Sequence, residues 1–254
     1  MMRLLLLLGV VLLTACSTRN GGPPPQPVPS MPLGPFAADL LLSVDDGRGG
    51  STRLSLVLAR NGRNLLRARI RKVDHVIAEL AVAGDRLDCW LPRPSAVSAT
   101  GVRYVGPVDA PGLPILIRHI GLFADELERG PVPVATLFDE ATQAWGYLDR
   151  GVRARLEVNA FGSVTEKELH QDQRLLARLR YTGGSPVTVV GVQRPYAIEI
   201  TTPDGGQLSA QFAAGEDPVR PGDREDRLMA VPEDAAQSQR VDARDLLRAM
   251  ETMQ

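Results

Sequence analysis

Along most of this chain apolar and polar side chains alternate with a period of two, the mark of half-buried β-strands. Leu40, Leu42 and Val44 share one face, with Asp39, Ser43 and Asp45 on the other. The same alternation places Leu54, Leu56 and Leu58 together, then Leu66, Ala68 and Ile70, then Val76, Ala78, Leu80 and Val82, then Leu87, Cys89 and Leu91. Turn residues separate these runs, among them Asp45-Asp46-Gly47, Asn61-Gly62 and Ala83-Gly84-Asp85. Five strands with tight turns predict an antiparallel meander with one wet face.

The middle of the chain changes period. Leu116, Ile120, Phe123 and Leu127 follow the spacing of one helix face, which predicts a helix between Pro111 and Glu128. Asp125, Glu126 and Glu128 crowd its C-terminal end, where the helix dipole favours cations. A second, weaker helical stretch is expected over Thr136 to Ala144. Alternation then resumes through Ala154, Leu156 and Val158, a more polar run from Val164 to His170, and the set Leu175, Ala177, Leu179 and Tyr181. It ends with Tyr196, Ile198 and Ile200, the turn Asp204-Gly205-Gly206, and Leu208, Ala210 and Phe212. Strands, helix, strands is the order of a mainly β (α+β) fold. It predicts a strongly curved antiparallel sheet of about ten strands around a central helical insertion. A last helix is expected within Val241 to Met253, with Leu246, Leu247 and Met250 on its apolar face.

Composition narrows the function. The chain has 254 residues and a formal net charge of −1, without the basic excess of a nucleic-acid binder. Its only lysines are Lys72 and Lys167, and the arginines on the strands read as a solvated face whose stems cover the sheet. No Gly-x-Ser-x-Gly elbow, His-Glu-x-x-His, Gly-x-Gly-x-x-Gly or P-loop is present, and His75, His119 and His170 lack metal-ligand spacing. Glu166 and Glu168 share one strand face and read as solvated carboxylates. The expectation is a non-enzyme with no catalytic residue, cofactor or metal. Cys89, on the Leu side of its strand, reads as a small buried hydrophobe.

The N-terminus carries the most specific signal. Met1 to Arg3 is a short positive start, and Leu4 to Leu13 an apolar run. A helix of that length reaches about 15 Å, half a bilayer core, as a signal-peptide core does. Leu13-Thr14-Ala15-Cys16 looks like the lipobox of bacterial lipoproteins. That resemblance implies cleavage before Cys16 and lipidation of its sulfur, giving a firm membrane anchor. In Gram-negative lipoproteins a residue such as Ser17 after the cysteine implies sorting to the outer membrane, with the domain facing the periplasm. Asn20 to Pro35 is too proline-rich for a helix or central strand and reads as a semi-extended spacer of about 40–50 Å.

The strand pattern resembles the LolA/LolB superfamily of lipoprotein carriers and receptors over residues 36 to 232. The resemblance is carried by Leu65-Leu66-Arg67-Ala68-Arg69-Ile70, Val76-Ile77-Ala78-Glu79-Leu80, Gly84-Asp85-Arg86-Leu87-Asp88-Cys89-Trp90-Leu91-Pro92, and Tyr196 to Phe212. It implies a half-barrel whose concave face is plugged by the helix, and a cavity for acyl chains. The candidate lining is Leu54, Leu56, Leu66, Ile70, Leu80, Leu116, Ile120 and Phe123. It also implies an exposed apolar residue on an early turn. That turn corresponds here to the charged Arg71-Lys72-Val73-Asp74-His75, where Val73 is the only apolar member.

The expected organisation is a signal peptide (1–15), the lipidated cysteine with its linker (16–35), the half-barrel (36–232) and a charged tail (233–254). The expected role is binding acyl chains of a lipid or lipoprotein and assisting its localisation to the outer membrane. Expected partners are the membrane, through the lipid, and a periplasmic carrier protein, with the chain itself a monomer. The alternative is a scaffold lipoprotein that binds another envelope protein through its tail or its arginine face.

Overall fold

The computed structural model describes residues 23–45, 51–61, 65–73, 75–92, 101–182, 187–189, 192–194, 197–212, 219–220 and 237–251. Residues 1–15, expected to be a signal peptide, and Cys16 and Ser17 lie outside these residues.

The first half is a meander of β1 (Phe36–Asp45), β2 (Ser51–Asn61), β3 (Leu65–Lys72), β4 (His75–Ala83), β5 (Arg86–Leu91) and β6 (Val102–Pro107). Helix α1 (Ile115–Arg129) follows. The second half is β7 (Leu137–Asp139), β8 (Ala144–Asp149), β9 (Val152–Val158), β10 (Val164–Gln171) and β11 (Arg174–Thr182). Then come a small hairpin, β12 (Val187–Val189) and β13 (Val192–Arg194), and the strands β14 (Ala197–Thr201) and β15 (Gln207–Phe212). The chain closes with β16 (Val219–Arg220), β17 (Gln239–Arg240) and α2 (Ala243–Glu251).

One sheet of 15 strands carries nearly all of this, more than the expected number. Its order is β17-β6-β5-β4-β3-β2-β1-β15-β14-β11-β10-β9-β8-β7, with β16 also on β1. The sheet is open, ending at β17 and β7. Its pairings are antiparallel except for β17 beside β6. The join of the two halves is β1 against β15, Leu40 opposite Phe212 and Asp45 opposite Gln207. Two terminal segments thus meet in mid-sheet, which makes the two meanders one unit.

Most period-two faces are those the sequence predicts; in β4, after a register shift between Ile70 and Arg71, Ile77 and Ala81 are buried as well and Val76 is only half-buried. Leu40, Leu42, Leu54, Leu56, Leu66, Ile70, Leu80, Leu87 and Cys89 are buried in one core, together with Leu156, Leu179, Ile198, Ile200, Leu208 and Ala210. Burial pushes the Cys89 thiol far up, as for an inert core residue. Helix α2 joins this core through Leu246, Ala249 and Met250. Asp242 starts it by accepting the backbone N–H groups of Arg244 and Asp245, both at 2.9 Å.

Three sequence expectations are revised. Thr136 to Ala144 is not a helix but β7, a turn and the start of β8. Asp139 Oδ1 accepts the N–H of Ala141 at 2.9 Å, which folds the chain back so that Phe138 pairs with Trp145. Strand β6 extends the first meander, with Val102 and Tyr104 turned inward. The proline-rich stretch is also no free spacer from Pro24 onward. It forms a strap along the domain: Trp145 Nε1 donates to the Pro24 carbonyl at 3.0 Å, Ser30 N–H to Val132 at 2.7 Å and Leu33 N–H to Glu128 at 2.6 Å.

Candidate functional site

Helix α1 is the element that covers the apolar face of the sheet. It begins after Pro114 with no side-chain cap, and ends where Gly130 adopts φ 71° and ψ 179°, a backbone essentially restricted to glycine. The Gly130 N–H closes the last turn on the Glu126 carbonyl at 2.9 Å. Leu116, Ile117, Ile120, Phe123, Ala124 and Leu127 form its buried face and belong to the same core as the strands.

All eight predicted lining residues are buried in that core: Leu54 and Leu56 from β2, Leu66 and Ile70 from β3, Leu80 from β4, and Leu116, Ile120 and Phe123 from α1. They are brought together, but none lines the cavity that opens beside the helix. That cavity, about 350 Å³, lies between α1 and β8–β11 and is lined by His119, Leu122, Tyr147, Leu169, Leu176 and Ala177 together with Asp125, Glu126 and Arg129. Small-molecule pockets begin at roughly 300 Å³. A register shift between Leu169 and His170 explains why Leu176, not the expected Leu175, packs against the core.

The acidic end of α1 finds its cations on the sheet. Lys167 of β10 points inward, with a side chain only 1% exposed, and meets the Glu126 carboxylate. It also donates to the Pro131 carbonyl at 3.2 Å and the Tyr147 hydroxyl at 3.3 Å, so all three ammonium protons have acceptors. Tyr181 donates to the other Glu126 oxygen at 2.7 Å. Burial holds the lysine below its usual range, partly countered by Glu126. Burial and the adjacent carboxylate push both tyrosines up.

Around this pair, Arg60 bonds Asp125 and reaches Glu128 at 2.8 Å, and Arg129 meets Asp149 at 2.5 Å. Arg194, fully buried, donates to the terminal helix carbonyls of Leu127 at 2.6 Å and Glu128 at 2.8 Å, and to Met31 of the strap at 2.7 Å. One guanidinium therefore joins the helix end to the strap.

At the N-terminal end the polar ties are fewer. Arg118 bonds Asp204 at 3.2 Å on the surface, while its Nε is buried with no hydrogen-bond partner. Burial lowers the His119 pKa, with Arg118 adding to the effect and Asp204 opposing it. Glu166 and Glu168 share the outer face of β10 but are not the freely solvated carboxylates expected: both are half-buried and pair with Arg178 at 3.0 and 2.6 Å. Among the described residues no group of His, Cys, Asp and Glu is placed to hold a metal, and no helix is long and apolar enough to cross a membrane.

No family model and no curated protein matches the chain. Among solved structures it is similar to a LolA superfamily protein from Nitrosomonas europaea, at 14% identity and a TM-score of 0.48, over 80% of this chain and 92% of that one. A putative outer membrane lipoprotein-sorting protein domain from Vibrio parahaemolyticus aligns at 12% identity and a TM-score of 0.44, over 77% and 89%. A DUF1329 family protein from Desulfovibrio piger aligns at 11% identity and 0.40, over 73% and 85%.

Proposed function

We propose that this chain is a lipoprotein, anchored through lipid on Cys16 after removal of residues 1–15, that takes acyl chains of a lipid or another lipoprotein between α1 and the sheet. In this reading the sheet of residues 36–232 is a half-barrel with α1 plugging its concave face. The role is assistance in localising the cargo to the outer membrane, from the periplasmic side, with a periplasmic carrier as donor. The carrying observation is the asymmetry of α1: an apolar face over an apolar sheet, with its polar ties gathered at the C-terminal end.

Magnitudes set how such a lid works. Exposing Leu116, Ile117 and Ile120 to water costs about 2 kcal/mol each. The N-terminal turns therefore lift only as acyl chains take their place. Native mass spectrometry of residues 20–254, secreted to a bacterial periplasm, tests this. Co-purified lipid or acylated peptide is expected. A bare protein mass that stays unchanged after incubation with phospholipid and triacylated peptide overturns it.

One observation favours the scaffold alternative. Arg67, Arg69 and Arg71 line the outer, half-buried face of β3, a row of guanidinium groups that an acidic protein could meet. An envelope pull-down with Arg67→Gln/Arg71→Gln is the test. It is cleaner than deleting the tail, because α2 is part of the core.

A further inference from the structure

The strap and the tip of the β9–β10 hairpin share one end of the sheet. A side chain added at Gly162, in that tip, would come within 3.5 Å of the Gln26 carbonyl oxygen and 3.6 Å of Pro25. The tip presents Phe161 at 91% exposure. Its backbone is fixed around Asn159, whose Oδ1 accepts the N–H groups of Phe161 at 2.9 Å and Ser163 at 3.0 Å, while the Asn159 N–H donates to Ser163 at 2.9 Å. A rigid turn thus holds an aromatic ring out in water. On the strap beside it, Val28 is 79% exposed and Met31 67%. From Pro23 to Pro35 there is no charged side chain, and from Asn159 to Val164 there is none either.

We propose that this end of the domain rests on the bilayer, with Phe161, Val28 and Met31 set into the zwitterionic headgroup layer. The inference rests on the proposed lipidation of Cys16. Seven residue steps separate Cys16 from Pro23. Fully extended they reach about 25 Å, so the start of the strap is the part of the domain nearest the membrane. A contiguous exposed apolar patch marks an interaction surface, and surfaces that lie on a bilayer set Trp, Phe and Leu into its headgroup boundary.

Val73 and Leu148, also exposed, do not compete for this role. Val73 follows β3 and Leu148 precedes the β8–β9 turn, and the antiparallel order places both at the opposite end of the strands from Phe161. Both have charged neighbours in the sequence, Lys72 and Asp74 for Val73, Asp149 and Arg150 for Leu148. The early turn that the family resemblance points to therefore faces away from the tether. At the strap end Asp139 and Glu140 stand exposed at the end of β7 and in the β7–β8 turn, and acidic side chains there disfavour anionic lipid.

The test uses the full chain extracted from bacterial membranes and placed in phosphatidylcholine vesicles, with a nitroxide at Ala160→Cys or, as control, Val73→Cys. Cys89 is buried and takes no label. The mass of the N-terminal peptide reports the lipid on Cys16. Expected is a several-fold rise in the ratio of oxygen to nickel-chelate accessibility at 160 on reconstitution, lost when Phe161→Ser is added, with 73 remaining aqueous. A lipidated chain whose label at 160 stays as aqueous as that at 73 overturns the proposal and spares the anchor. An N-terminal peptide without lipid overturns both. Equal insertion into phosphatidylglycerol vesicles overturns the assignment to zwitterionic headgroups.

Discussion

The two ends of α1 are built on opposite principles. At the C-terminal end, Asp125, Glu126 and Glu128 stand where the helix dipole is already negative, and each is met by a cation. Arg194 covers the last carbonyls, and the strap adds the Leu33 N–H on Glu128. At the N-terminal end there is no side-chain cap, and one surface pair, Arg118–Asp204, holds the first turn. The apolar face spans both ends, so burial alone does not distinguish them. The polar ties do, and they fix which end stays when the other moves. In the proposed function α1 is a lid that opens without unfolding, and directional bonds gathered at one end of an apolar helix would permit that.

The largest effect is expected at the fixed end. Lys167→Met leaves the Glu126 carboxylate buried with only Tyr181, and breaking such a pair costs about 3–5 kcal/mol. Chemical denaturation should show this drop. The double variant Lys167→Met/Glu126→Leu should recover most of it, because neither charge is then stranded. If the single variant is as stable as the parent, the C-terminal end is not the anchor and the comparison fails.

Much of this architecture was legible beforehand, because it rests on local periodicity. The alternation in β1 to β5 and the stripe Leu116–Ile120–Phe123–Leu127 each follow from one burial face per element. Crowded acids at the end of α1 stood against the helix dipole and blurred its expected boundary; the cations that meet them come from far along the chain. Lys167 lies 41 residues from Glu126 and Arg194 lies 67 from Leu127, and nothing local marks either as inward. The strap misled for a physical reason. Proline removes donors, which argues against regular structure, yet Pro24 and Met31 still offer carbonyls and Ser30 and Leu33 still donate. The cavity beside α1 depended on a register shift in β10–β11, which simple alternation cannot foresee.

Two intermediate effects sharpen the contrast. Gly130→Ala forces a side chain into a glycine-only backbone region and to 2.5 Å from the Ser30 Cβ, so it strains the helix end and loosens the strap together. A loss of about 1–3 kcal/mol is expected, with hydrogen exchange rising at Leu33 and Val132 but not at Ile115. His119 gives the other end a pH response. Its folded pKa lies below the ordinary value, so the unfolded chain binds the proton more readily. Stability at this histidine is full above about pH 6.5 and falls as the pH drops through and below that value. Thermal melts should show this step, and His119→Gln should remove it. The lowered carboxylates Asp149, Glu168 and Asp204 lose their contribution only below about pH 4, so the two windows separate.

The smallest effect on stability carries the most information about the lid. Arg118→Ala removes an ion pair exposed on both sides, and such pairs contribute about 0–1 kcal/mol. It also removes a buried Nε that has no partner, which offsets part of that loss. The melting temperature should therefore hardly move. If the N-terminal turns are the opening end, the variant should still take up a fluorescent acyl probe faster than the parent. An Arg129→Ala variant, which cuts the comparable tie to Asp149 at the other end, should change stability more and uptake less. Equal uptake rates in the two variants would mean that α1 moves as a whole or not at all.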